Sequence, residues 1–577
     1  MKRCICRAYS LMLEIEMIRS LCITGCFLIA TSAFAAADKP PEAAIASANK
    51  LATAAGLEVL KAGGNAFDAA VAVSAALGVV EPESSGLGGG AFALLYFPDK
   101  PEGERAVFVD AREKAPLAAT RDMYLDAKGE PNRELSVNGP LAAAIPGVAA
   151  ALSHVQSHYG RLSLPQTLAP AIRLAEKGYA WGDKNFAMQG YRVETLVKYP
   201  AAASQFLRGG KAIALGSNFK QPELARTLRM IAKSNAADFY KGPFAEKLVA
   251  GVRAAGGIWT AQDLANYAVV ERAPLQFEYG NYQFITAPPP SSGGTALASI
   301  FNILAGFDFA KLDKVARTHL LVEAMRRSYR DRAIYMGDPD FTDVPVRMLM
   351  SKDYAAGLRA SINPDKATPS DMLPGISMAA QGTDTTHFSI IDKDGQMVAW
   401  TQTVNLPFGN GFVAPGTGFL LNNEMDDFSV KPGVPNAFGL VGDDANAIAP
   451  GKRPLSSMTP TFMIGADRVA VLGTPGGSRI ITMVLLGALE LIGGADAQAA
   501  TAAPRIHHQY LPDAISAETG AFTEAEITAL QKRGFVVSPN QRPWGNMQIV
   551  LWDKKAGKVT TGSDPRWETV GGGGIFR

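Results

Sequence analysis

The sequence predicts a layered α/β fold, and three observations carry that prediction. The stretch from Ala43 to Leu77 is alanine-rich with a helical pattern, the chain from Thr385 onward alternates apolar and polar residues as strands do, and helical and strand segments follow one another with no fixed-period repeat. Taken in order, Gly63-Gly64 ends one helix and Asp68 opens the next. The run Ser85-Gly86-Leu87-Gly88-Gly89-Gly90 leads into a strand, Ala91 to Phe97. No Gly-Lys-Ser/Thr follows it, and the next element is not a helix, so it reads as close backbone packing rather than a phosphate loop. Residues Ala142 to Ala360 read as helical segments separated by Pro and Gly turns, interrupted by the stiff Pro288-Pro289-Pro290-Ser291-Ser292-Gly293-Gly294. Thr385 to Ile391, a turn at Asp392-Lys393-Asp394-Gly395, and Met397 to Thr403 form a hairpin signal. Arg468 to Gly473 reads as a further strand and Ile480 to Ile492 as a helix, with Gly476 and Gly477 at the turn between them.

Of the 577 residues, 47% are hydrophobic and 19% charged, with 57 Gly and 36 Pro, a globular profile with ample core. The formal charge of +2 resides in the first 35 residues, where Lys2, Arg3, Arg7 and Arg19 face Glu14 and Glu16; the remainder balances. That balance removes any electrostatic case for nucleic acid as a partner. Arg19, the apolar run Leu21 to Ala30 and the small-x-small pattern Ala33-Phe34-Ala35 read as an export signal over residues 1–35, with Met17 as an alternative start to Met1. No later stretch approaches the roughly 20 apolar residues a membrane span needs. The expectation is a protein without a membrane span in its mature form, periplasmic or secreted. Cys4, Cys6, Cys22 and Cys26 all lie in the leader, which leaves no disulfide, thiolate nucleophile or Cys metal site beyond it. Ile23-Thr24-Gly25-Cys26 has the form of a lipoprotein box, but the apolar region before Cys26 is short and continues past it.

Among the histidines, His154 and His158 share a helical face, but Val155 stands where a zinc-protease helix carries Glu, and a surface pair is the plainer reading. His507-His508 is uninformative alone. Neither pattern supports a metal site, and no cofactor is expected. The chain has no Gly-x-Ser-x-Gly, and Ser217-Asn218-Phe219-Lys220 and Ser136-Val137-Asn138 lack the Lys-Thr-Gly that would complete a Ser-Lys site. Thr385 remains. A threonine hydroxyl is a poor nucleophile, but cleavage before it frees an α-amine with a pKa of about 7.7 to 8.0 that serves as its general base. On spacing alone, Thr385-Thr386 is more often the start of an ordinary β-branched strand.

Longer blocks change that balance. Asp384-Thr385-Thr386-His387-Phe388-Ser389, Asn422-Asn423-Glu424-Met425-Asp426-Asp427-Phe428-Ser429, Arg453-Pro454-Leu455-Ser456-Ser457-Met458 and Thr474-Pro475-Gly476-Gly477-Ser478-Arg479 resemble the gamma-glutamyltranspeptidase family. So do Asp110-Ala111-Arg112-Glu113, the Pro-Pro-Pro-Ser-Ser-Gly-Gly run and Ala503-Pro504-Arg505-Ile506-His507-His508-Gln509, in the same order. The resemblance implies an αββα N-terminal-nucleophile hydrolase made as a precursor. Self-cleavage at Asp384-Thr385 would give a large subunit, residues 36–384, and a small subunit, residues 385–577, packed as one domain.

By the same resemblance Thr385 attacks the γ-carbonyl of glutathione or another γ-glutamyl compound, and water or an acceptor amine resolves the acyl-enzyme. Thr403 orients the nucleophile, and the N–H groups of Gly476 and Gly477 meet the oxyanion. Arg112 clamps the α-carboxylate with Ser456 and Ser457, while Asn405, Glu424 and Asp427 hold the α-ammonium. Two positions depart from many bacterial members: Glu424 where they carry Gln, and Phe438 where several carry a lid-loop Tyr. A cephalosporin (glutaryl) acylase of the same fold and a non-catalytic secreted binding protein are the alternatives.

Overall fold

Thr386–Ile391 is the strand on which the architecture turns. Its residues alternate between two faces, as the two-residue period of a strand requires. Phe388 and Ile390 join one apolar core, together with Ala43, Ile45, Val398 and Trp400. Ile391 joins a second core with Ala44, Ala46, Met397 and Ala399. Two cores on opposite faces of one sheet mean that both faces are covered.

The computed structural model describes residues 39–373, 385–540, 544–567 and 571–576, and Pro40–Arg577 forms one unit. The proposed leader, residues 1–35, lies outside the described residues, as does Asp384 on the amino side of the expected cleavage bond. One antiparallel sheet has seven strands in the order Gly572–Phe576, Ala43–Ser47, Thr386–Ile391, Met397–Thr403, Gly90–Tyr96, Ala106–Ala111 and Val270–Arg272. The second has six, in the order Lys558–Ser563, Gln548–Asp553, Arg468–Gly473, Thr461–Gly465, Tyr282–Thr286 and Leu275–Tyr279. Helices Lys50–Lys61, Ala66–Val80, Val148–Tyr159 and Leu164–Lys177 cover the outer face of the first sheet through the first core. Helices Gly293–Leu304, Lys314–Tyr335 and Ile480–Ile492 cover the second sheet, and the core they share also fills the space between the sheets. The layers are therefore α, β, β and α.

The hairpin, the strand Arg468–Gly473 and the helix Ile480–Ile492 stand where the pattern puts them. Ala43–Ser47 does not: expected as part of a helix, it is a buried strand pairing Ala44 with Ile391 and Ser47 with Phe388. Alanine tolerates either state, and flanking by two strands decides it. The helix after Gly63-Gly64 begins at Ala66 rather than Asp68. Asn65 caps it by accepting from the Phe67 and Asp68 N–H groups at 3.0 Å, and Asp68 accepts from Asn65 N–H at 2.8 Å, a capping box. The supposedly helical middle also contains Val270–Arg272, Leu275–Tyr279 and Tyr282–Thr286, strands that the turn residues around them hid.

The glycine run packs against backbone. A Cβ on Gly88 would lie 2.0 Å from the Leu420 carbonyl oxygen, and one on Gly89 would lie 1.9 Å from that of Thr403. Only glycines let this turn hold the end of Met397–Thr403 against the segment leading to Glu424.

Candidate active site

The ladder of the hairpin pairs Gln402 with Thr386. One residue further out on each strand stand Thr403 and Thr385, and their hydroxyl oxygens are 3.2 Å apart. Both are buried. The backbone N–H of Asn405 donates to Thr403 Oγ1 at 2.8 Å, which leaves the Thr403 proton free to point at Thr385. That geometry needs the chain to turn sharply after the strand. Asn405 does so with φ of +77°, a conformation asparagine adopts more readily than most residues, and its Nδ2 donates to the Asn423 carbonyl at 2.9 Å.

Asn422 and Asn423 fix the turn Glu424–Asp427. Asn422 Nδ2 donates to the carbonyls of Gly88 at 2.7 Å and Ala144 at 2.8 Å, and its Oδ1 accepts from Ala144 and Glu424 N–H groups. Asn423 Oδ1 accepts from Leu406 N–H, and its Nδ2 donates to the Val137 carbonyl. Buried amides with this many partners specify one arrangement, and they direct Glu424 and Asp427 at Arg112.

Arg112 follows directly on the strand Ala106–Ala111. Its guanidinium donates to Glu424 Oε1 and, at 2.6 Å, to Asp427 Oδ2, and it also reaches the carbonyls of Pro454 at 3.1 Å and Leu455 at 3.0 Å. Glu113 Oε2 is 3.5 Å from Nη1. Burial works against the charge on Arg112, but Glu424, Asp427 and Glu113 outweigh it and hold the guanidinium above its ordinary pKa. Burial pushes the carboxyl of Glu113 up to about 7 against the pull of Arg112, and raises those of Glu424 and Asp427 as well. Both carboxylate oxygens of Glu113 and Oε2 of Glu424 are buried without a hydrogen-bond partner. Three carboxyl groups thus crowd one guanidinium.

Ser456 is held by the proline-rich run: its N–H donates to the Pro290 carbonyl at 2.8 Å, and Ser292 N–H returns a bond to the Ser456 carbonyl at 2.8 Å. Arg332, near the end of the helix Lys314–Tyr335, donates to Ser292 Oγ at 3.0 Å and Ser457 Oγ at 3.4 Å. Gly476 and Gly477, with φ of +142° and +57°, turn the chain from Arg468–Gly473 into Ile480–Ile492.

A cavity of about 300 Å³ joins these groups. Of the residues expected from the sequence, Thr385, Thr403, Asn405, Arg112, Glu424, Asp427, Ser456, Ser457 and Gly477 line it, and Gly476 stands one residue outside. Arg332, Leu440, Met458 and Ile480 line it as well and were not singled out in the sequence. Arg332 gave no signal because it sits in a long helix with several other arginines.

Phe438 also lines the cavity and is 4% exposed. Its loop is tied down. Asp426 Oδ2 accepts from Ala437 N–H at 2.8 Å, Asn436 Nδ2 donates to Asp427 Oδ1 at 3.1 Å, and Gln509 Nε2 donates to the Gly439 carbonyl at 3.1 Å. Asn436 Oδ1 accepts from the N–H groups of Phe438 and Leu440, closing the turn. Burial pushes the Asp426 carboxyl up to about 6.

The histidines play other parts. His387 lies between the sheets, 2.8 Å from Thr401 Oγ1 and 3.1 Å from Ser389 Oγ, and burial pushes it down to about 3, so it is neutral. His154 and His158 stack with ring centroids 4.2 Å apart, and His154 meets Glu271 at 2.8 Å. Among the described residues no cluster of three or more His, Cys, Asp or Glu side chains suits a metal, and no helix is long and apolar enough to cross a membrane.

The chain is 44% identical over 85% of its length to the glutathione hydrolase proenzyme of Pseudomonas sp. (strain A14), covering 85% of that protein. It is 41% identical to the glutathione hydrolase proenzyme of Escherichia coli (strain K12), with 90% of each chain covered. Its fold is similar to that of a cephalosporin acylase from Bacillus halodurans, with a TM-score of 0.81, 30% identity, and coverage of 93% of this chain and 96% of the other. The αββα layering is that of N-terminal-nucleophile hydrolases. The model of the family described as Gamma-glutamyltranspeptidase matches residues 52–573, and the chain belongs to that family.

Proposed function

We propose that the protein is a gamma-glutamyltransferase and glutathione hydrolase, activated by cleavage of its own chain before Thr385. The observation that carries this reading is the pairing of the Thr385 and Thr403 hydroxyls at 3.2 Å on the wall of the cavity that also holds the Arg112 cluster. In the precursor the Thr385 hydroxyl attacks the carbonyl of residue 384. The amide nitrogen leaves as the Thr385 α-amine, and water hydrolyses the resulting ester. The large subunit, residues 36–384, and the small subunit, residues 385–577, then stay together, because each sheet contains strands from both segments.

In turnover the α-amine takes the Thr385 proton as the hydroxyl attacks the γ-carbonyl of the glutamyl group. Charge develops on that oxygen, and the N–H groups of Gly476 and Gly477 stabilise it. Collapse expels the amine, protonated by the Thr385 ammonium, and leaves a γ-glutamyl ester on Thr385. Water gives glutamate; an acceptor amine gives a new γ-glutamyl amide. Thr403 orients the nucleophile. Arg112, Ser456 and Ser457 bind the α-carboxylate, and Asn405, Glu424 and Asp427 bind the α-ammonium. We place the protein in the periplasm or outside the cell, after removal of residues 1–35.

The likeness to a cephalosporin acylase gives the alternative some support. A glutaryl group has no α-ammonium and brings no cation to the buried Asp427 and Glu424, which is costly where those carboxylates have no other partner. Both already bond Arg112, so that penalty is smaller than expected. The preference for glutamyl groups rests instead on the surplus of carboxyl groups around Arg112 and on the unpartnered Glu424 Oε2, which suit an incoming ammonium. Mass spectrometry of the purified protein, combined with hydrolysis of γ-glutamyl and glutaryl anilides, tests the reading. Two fragments produced by cleavage between residues 384 and 385 and a preference for the γ-glutamyl anilide are expected. An uncut chain, or a preference for the glutaryl anilide, would overturn it.

A further inference from the structure

The strand that begins at Thr386 is anchored from its far side by a buried carboxylate. Thr386 shares a face with Phe388 and Ile390, which pack into the first core, while Thr385 lines the cavity. The Thr386 hydroxyl donates to Glu81 Oε2 at 2.8 Å. Glu81 directly follows the helix Ala66–Val80, and its other carboxylate oxygen accepts from Lys184 Nζ at 3.1 Å. Lys184, in the helix Asp183–Gly190, also donates to Ser84 Oγ at 2.8 Å and stands 3.9 Å from Glu83 Oε1. Asn185 Nδ2 donates to Glu83 Oε2 at 2.8 Å. All of these side chains are buried. The same helix and the turn after it hold the other strand of the hairpin. Gln402, the ladder partner of Thr386, donates from Nε2 to the Ser74 carbonyl at 3.1 Å and to Ser85 Oγ at 3.0 Å. Three residues past Asn405, the Phe408 N–H donates to the Glu83 carbonyl at 2.9 Å.

Lys184 supplies the counter-charge that a buried carboxylate needs, yet apolar side chains of similar volume often stabilise a core as well as such a pair does. What distinguishes this pair is where its carboxylate points, at the hydroxyl of the residue bonded to the nucleophile. Thr385 stands just before the first ladder pair, and Thr386 is the first residue of the strand that is both paired and anchored. We infer that Glu81 is a positioning residue for the nucleophile: through Thr386 it fixes the start of the strand, and with it the approach of the Thr385 hydroxyl to Thr403 and to the carbonyl it attacks. The inference rests on the acyl-transfer reading given above and adds to it a group on the face of the sheet turned to the first core. A reacting atom misplaced by about 1 Å can lose on the order of a hundredfold in rate. One hydroxyl serves both self-cleavage and turnover, so both depend on this anchor.

Thr386→Val removes the bond to Glu81 and keeps the branched shape of the side chain. It should slow self-cleavage, followed by electrophoresis over time, and lower kcat per processed molecule with γ-glutamyl anilide, each by about tenfold to a hundredfold. The inhibition constant of free glutamate, which reports the binding pocket alone, should stay within about twofold of the parent value. Thr386→Ser keeps the donor and should restore both rates. A lower thermal midpoint with parental kcat and cleavage rate in Thr386→Val would make the contact merely structural, and equal losses in the Val and Ser variants would mean that the hydroxyl plays no part; either overturns the inference. So would a rise in the glutamate inhibition constant as large as the fall in kcat. Should Thr386→Val not fold, Thr386→Ala and Thr386→Ser differ by one hydroxyl and make the same comparison: faster cleavage and turnover in the Ser variant support the inference, and equal rates overturn it. Failure of the parent protein to turn over γ-glutamyl anilide would count against the proposed function instead, while the cleavage rates of the variants would still test the anchor.

Discussion

A Cβ on Gly477 would lie 2.3 Å from Cδ1 of Phe438. The Phe438 ring therefore rests directly on the turn that follows Arg468–Gly473, and the absence of a side chain at Gly477 is what gives the ring room. Gly477→Ala should displace Phe438 and strain a backbone held at φ of +57°, a cost of about 1 to 3 kcal/mol. The expected outcome is a large fall in kcat with γ-glutamyl anilide, partly relieved when Phe438→Ala is added. Steady-state kinetics of the single and double variants check this; additive losses would show that the two residues do not interact.

Thr385→Ala should give one uncut chain without activity, because the one hydroxyl it removes attacks residue 384 in the precursor and the substrate in turnover. Denaturing electrophoresis and intact mass measure it. Two fragments of normal size would rule out self-processing through Thr385.

Asp427→Ala should abolish most glutamyl turnover and leave self-cleavage largely intact. The structure adds a second consequence, because Asp427 also receives Asn436 Nδ2 from the lid loop at 3.1 Å, so the loop should become more susceptible to proteases. Arg112→Lys should raise KM by about tenfold or more. An ammonium cannot reach Glu424, Asp427 and two backbone carbonyls together, and each charge-assisted bond lost is worth about 1.5 to 3 kcal/mol.

Asp426 makes a pH prediction. Burial raises its carboxyl from the ordinary 3.8 to about 6, so the folded protein binds this proton more tightly than the unfolded chain. The contribution to stability is fully present below pH 3.8, falls as pH rises toward about 6, and is constant above that. Asp426→Asn should remove this segment of the slope from thermal midpoints measured between pH 4 and 7. A slope identical to that of the parent protein would mean that Asp426 titrates normally.

Phe438→Tyr should raise the ratio of transfer to hydrolysis with a dipeptide acceptor by about two- to tenfold, since a hydroxyl at the lid gains a hydrogen bond worth about 0.5 to 1.5 kcal/mol. The loop is already held by Asp426, Asp427 and Gln509, so the effect falls on how fully the lid excludes water rather than on whether it forms. Product analysis at saturating acceptor measures the ratio, and an unchanged or lower value counts against the lid hydroxyl.

The sequence alone determined the hairpin that carries Thr385 and Thr403, the strand and helix flanking Gly476 and Gly477, and, through ordered blocks of residues, the family. These are local properties: alternation, turn residues and motif spacing survive without knowledge of what packs where. The same locality misread Ala43–Ser47, because small apolar residues fit helix and strand equally, and only pairing with Thr386–Ile391 and Gly572–Phe576 makes the segment a strand. Only the tertiary structure could decide how charge is shared in the site. Arg112, Glu113, Glu424 and Asp427 come from two distant parts of the chain, and Arg332 from a third. Which carboxylates bond which guanidinium depends on distances of a few ångströms between elements, and these arise from the packing of the layers rather than from any neighbouring residue in the sequence.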